Sequence, residues 1–100
     1  MSKPIVDKAE VSIDFPDKYY HGSFGRSSRF DVELDEQGLH ISLDRPGEEQ
    51  RHVGFHLHYH LFTAILEGIA EDAAKKTCVP AAHRETLREA AAKFAEALED

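Results

Sequence analysis

Four histidines lie within nine residues of this chain, at His52, His56, His58 and His60. Imidazole binds metal ions, moves protons near neutral pH and changes charge in that range, so chemistry is sought here first. The surrounding run, Arg51-His52-Val53-Gly54-Phe55-His56-Leu57-His58, alternates apolar and polar residues. Side chains of a strand point to opposite faces in turn, which sets Val53, Phe55 and Leu57 on one face and His52 and His56 on the other. Three histidines spaced two apart on a strand span about 13 Å, while a metal needs each ligand nitrogen about 2.0 to 2.1 Å away. His56, His58 and His60 therefore do not grip one ion from a straight strand. If helix began by His56, His56 and His60 would instead be i, i+4 neighbours. Where strand gives way to helix between His56 and Leu61 is left open by the sequence.

A carboxylate comes beside these imidazoles when the upstream runs are paired. Phe30, Val32 and Leu34 alternate with Asp31 and Glu33, and Leu39, Ile41 and Leu43 alternate with His40 and Ser42. Asp35-Glu36-Gln37-Gly38 and Arg45-Pro46-Gly47-Glu48 carry the residues of tight turns, so the three runs read as a meander. Pairing Leu34 with Leu39 sets Glu33 opposite His40, and pairing Ile41 with Phe55 sets His40 opposite His56. Directly opposed side chains have Cβ atoms about 4.5 to 5.5 Å apart. Glu33, His40 and His56 thus form a candidate zinc row with a fourth position open, and His52, His58 and His60 are possible additional ligands. The simpler reading is a solvated row whose imidazoles pair with Glu33, Asp31 or Asp44.

The stretch from Asp17 to Ser28 is the second candidate. It reads as a long loop with three aromatics, two glycines and an arginine, and loops carry function more often than cores do. Tyr19, Tyr20, Phe24 and Arg26 are its candidate partner-binding residues, since tyrosine and arginine anchor many protein interfaces. Gly22-Ser23-Phe24-Gly25 lacks the spacing of a phosphate-binding loop. Cys78 has no positioned base nearby in the sequence and reads as a small hydrophobe.

The elements that position these residues follow from periodicity. Period-2 alternation predicts strands at about 9–15, 28–35, 38–44 and 50–57, each apolar on one face. From Leu61 the spacing becomes helical through Phe62, Ile65, Leu66, Ile69 and Ala73. Pro80 starts a new helix, with Leu87, Ala90, Ala91, Phe94 and Leu98 as its stripe. Helices are expected at about 59–76 and 80–98. One hundred residues are expected to make one domain. The expected fold is α+β: a four-stranded, mainly antiparallel sheet followed by two antiparallel helices packed on one face, a two-layer ββββαα arrangement. Val32, Ile41 and Phe55 would then lie in the core.

Charge and cysteine usage bound the partners. A net charge of −7 repels phosphate backbones and anionic lipid, which argues against nucleic acid and membrane. A single cysteine and an N-terminus without a signal-peptide apolar core favour the cytoplasm. The expectation is a small non-enzymatic protein-binding or regulatory module that requires no cofactor and that binds a protein partner or itself, a homodimer included. The alternative is a metal-binding protein or small metallo-hydrolase built on the Glu33, His40 and His56 row.

Overall fold

A computed structural model describes residues 2–47, 50–76 and 78–99. The chain is α+β, with strands preceding helices. The strands are β1 (Lys3–Pro4), β2 (Ala9–Phe15), β3 (Lys18–Phe24), β4 (Arg29–Leu34), β5 (Gly38–Arg45) and β6 (Arg51–His58). The helices are α1 (Tyr59–Lys75) and α2 (Ala81–Ala97). Two compact units divide them, Met1–Phe62 and Thr63–Asp100.

In the first unit β1, β4, β5 and β6 make a four-stranded antiparallel sheet in that order. The turns set its register: Leu34 faces Leu39, Val32 faces Ile41 and Ile41 faces Phe55. The register lines up nine apolar residues in three rows, Phe30–Leu43–Val53, Val32–Ile41–Phe55 and Leu34–Leu39–Leu57. At Gly47 the chain takes φ +117°, a left-handed value that favours glycine. Glu48, the last residue of that predicted turn, lies outside the described residues.

Two features differ from the sequence expectation. The 9–15 strand does not join the four-stranded sheet. It pairs with β3, part of the stretch read as a loop, in a separate two-stranded sheet from Ala9↔Phe24 to Phe15↔Lys18. Pro16-Asp17 is the two-residue connection, with proline presetting a turn dihedral. Residues 3 and 4 instead line β4 at the sheet edge, where proline's missing N–H costs no ladder bond. Arg29 fastens this short strand by donating from its guanidinium to Ser2 Oγ at 2.5 Å and to the Ser2 carbonyl at 2.8 Å.

Burial is the second difference. Phe24 (1% exposed) and Leu39 (6%) are the buried hydrophobic residues among those described. Val32 is 51% exposed and Phe55 45%, so neither is the core residue that its place on the apolar face led us to expect. Alternation reports which face a side chain is on; it does not report how completely that face is covered. The hairpin β2–β3 brings Val11, Ile13, Tyr20 and Phe24 around Val53 and Arg51. Arg51 spans the hairpin and the sheet, donating to the His21 carbonyl at 3.3 Å.

In the second unit α2 begins after Pro80, whose carbonyl accepts from the N–H groups of His83 and Arg84 at 2.9 and 3.1 Å. The described residues of neither helix are buried. Their stripes stand largely in solvent, with Ile69 59% and Leu87 58% exposed.

Candidate functional site

The polar face of the sheet carries the histidines. Strand β6 ends at His58 and α1 starts at Tyr59, so His56 belongs to the strand and His60 to the helix. Glu33 is the cross-strand partner of His40, and His40 of His56, as the parity argument requires. The imidazoles of His40 and His56 stack face to face, with ring centroids 3.9 Å apart and planes 13° from parallel. The His58 ring tilts toward His56 at 4.7 Å and 37°. His52 lies at the far end of β6 and pairs with Asp44 across the strands, Nδ1 to Oδ1 at 2.5 Å.

The carboxylate that converges on the stacked pair is Asp35, a residue the sequence marked only as part of a turn. Its Oδ1 accepts from the backbone N–H groups of Gln37 and Gly38 at 2.8 and 3.0 Å. Its Oδ2 lies 2.7 Å from His40 Nε2. Tyr59 Oη donates to the Asp35 carbonyl at 2.5 Å. The amide bonds and the His40 contact favour the ionised carboxylate, and they hold its pKa at about 2, with the Gln37 and Gly38 amides as the leading causes and His40 after them. Among the described residues, Asp35, His40 and His56 each offer one ligand atom, and the three atoms lie within 4.8 Å of one another. An aspartate whose side chain caps the amides two and three residues on is a recognisable Asx turn. That signal was available in Asp35-Glu36-Gln37-Gly38.

The turn works because Gly38 lets two strands approach. A Cβ built there would stand 2.1 Å from the Leu57 carbonyl oxygen. Only glycine fits at this crossing, and the crossing sets His56 beside His40.

The candidate partner-binding residues separate. Tyr19 and Tyr20 are exposed on β3, and Arg26 is exposed in the turn after it. Phe15 meets Tyr20 edge to face at 6.5 Å. Phe24 is the most buried hydrophobic residue of the chain among those described and presents nothing to a partner. Exposed Tyr19 lies on the same hairpin as this buried phenylalanine, so β3 contributes to both core and surface.

No helix among the described residues is long and apolar enough to cross a membrane. Comparison with known proteins finds no match: no family model, no curated protein and no solved structure aligns with this chain.

Proposed function

We propose that this chain is a protein-binding module that acts by association rather than by catalysis, and that its first partner is a second copy of itself. The observation that carries this reading is the apolar sheet face, three rows of three residues in which Val32, Leu34 and Phe55 stay about half exposed. Exposed contiguous apolar surface marks interaction sites, because leaving it in water forgoes roughly 25 cal/mol for each Å² that could be buried. Strands about 4.8 Å apart and residues about 3.3 Å apart give this face an area on the order of 300 Å². A stable interface takes about 800 Å² from each partner. The sheet face alone falls short of that area, so further surface of the first unit must take part.

Strand β6 adds a second means of pairing, since among the described residues it closes the sheet on one side with no strand beyond it. An edge strand offers unpaired backbone groups to a further strand, and a two-fold axis there would continue the sheet into a second copy.

Light scattering coupled to size exclusion tests the reading. The wild type is expected to run at twice the chain mass at micromolar concentration. Phe55→Asp and Val32→Asp should return it to the mass of one chain while the circular dichroism spectrum is retained. A wild type of one-chain mass across the whole micromolar range would refute self-association.

A further inference from the structure

We propose that Asp35, His40 and His56 form a binding site for a divalent transition metal, zinc being the natural probe, at the turn between β4 and β5. The site is independent of the association argued above, because it lies on the opposite face of the sheet from the apolar rows. Three separate elements supply its donors: the turn gives a carboxylate, β5 one imidazole and β6 another. Two imidazoles with one carboxylate suit zinc and its neighbours, whereas calcium and magnesium prefer sites made wholly of oxygen.

The geometry requires little rearrangement. Ligand atoms about 2.0 to 2.2 Å from a tetrahedral ion stand about 3.3 Å from one another. The three donors already lie within 4.8 Å of each other, and the Asp35–His40 pair at 2.7 Å needs only to open slightly. Asp35 and His56 are exposed and His40 is partly so. Rotating the imidazoles therefore breaks their mutual stack and displaces solvent, with no fully buried side chain in the way. The carboxylate is prepared in advance, because two backbone amides hold Oδ1 and leave Oδ2 directed at His40. Outer contacts of this kind orient a ligand before the ion arrives.

The second aspartate–histidine pair of the same face provides a control. Asp44 and His52 are as close as Asp35 and His40, but no third donor among the described residues joins them within sharing distance. An ordinary side-chain hydrogen bond accounts for Asp44–His52. It accounts for Asp35–His40 but leaves the stacked His56 without a role.

Calorimetric titration with zinc chloride at neutral pH tests the assignment. The wild type is expected to saturate at one ion per chain. Asp35→Asn and His56→Ala should each weaken binding roughly tenfold or more, since even outer-shell changes cost about 10- to 100-fold at metal sites. His52→Ala and Glu33→Gln should leave it unchanged. Binding that never saturates overturns the site, as does an equal loss for His52→Ala and His56→Ala. A loss for Glu33→Gln with none for Asp35→Asn overturns this ligand set in favour of the Glu33 row. If a variant fails to fold by circular dichroism, imidazole resonances of the wild type decide: zinc should shift those of His40 and His56 and spare that of His52.

Discussion

Replacing Gly38 by alanine tests the crossing of β5 and β6 that underlies the site. The new Cβ would lie 2.1 Å from the Leu57 carbonyl oxygen and 2.9 Å from both the Leu57 carbonyl carbon and His58 Cα. These are backbone atoms of the paired strand, so no side chain can swing aside. Relief requires β6 to move away by about 1 Å from a strand spacing near 4.8 Å. Overpacking of this kind costs about 1 to 3 kcal/mol, and each ladder hydrogen bond weakened near Gly38↔His58 removes about 1 kcal/mol more. Alanine returns about 0.5 to 1 kcal/mol by restricting the unfolded chain, which leaves a net loss of about 2 to 3 kcal/mol. Gly54 is the matched control, because a Cβ there meets only His52 Nε2, at 3.5 Å. Gly54→Ala should be neutral or slightly stabilising. The two variants make the same chemical change, so unfolded-state effects largely cancel between them. Urea unfolding followed by circular dichroism should separate their midpoints by about 0.7 to 4 M, given a gap of about 2 to 4 kcal/mol and slopes of about 1 to 3 kcal/mol/M for small proteins. Coincident midpoints would refute the close approach of β5 to β6, and with it the placement of His56 against His40.

Three further outcomes follow from the same structure. Phe24→Ala should cost about 3 to 5 kcal/mol, as truncation of a buried phenylalanine does, and the half-exposed Phe55 about 1 to 2 kcal/mol at concentrations where the chain is monomeric; chemical denaturation that reverses this order would contradict the burial pattern. Asp35 has a pKa depressed to about 2, below its ordinary value near 3.9. Its contribution is therefore present above about pH 4 and is lost as pH falls toward 2. The stability gap between wild type and Asp35→Asn should narrow over that interval, and a gap that stays constant in acid unfolding curves would count against the turn bonds. The stability of Phe55→Ala should also depend less on protein concentration than that of the wild type, because the residue lies on the surface assigned to self-association; identical concentration dependence of the two melting temperatures would argue against that surface.

Local backbone geometry carries much of this architecture. Alternation of side chains is a property of any extended strand, so the parity of Val32, Ile41 and Phe55 against Glu33, His40 and His56 was legible in the sequence. The short turn at Asp35–Gly38 and the link from Arg45 fixed the register, because a one-residue slip would turn every side chain to the other face. The helices were legible from the change of period at Leu61 and from Pro80. The strand at Lys18–Phe24 was hidden because Gly22 breaks its apolar alternation, although Pro16-Asp17 marks the turn before it. Residues 3 and 4 are too few to show any period, and their pairing with Arg29 and Phe30 is a long-range event. Asp35 was passed over for Glu33 because pairing arithmetic counts strand residues only. The folded turn brought Asp35 in, since its side chain caps two amides and leaves one oxygen facing β5. Cover was decided only in three dimensions: Phe24 and Phe55 both alternate with polar neighbours, yet one is enclosed and the other half in water. A strand determines its own faces locally, whereas burial depends on which distant surface comes to rest against them.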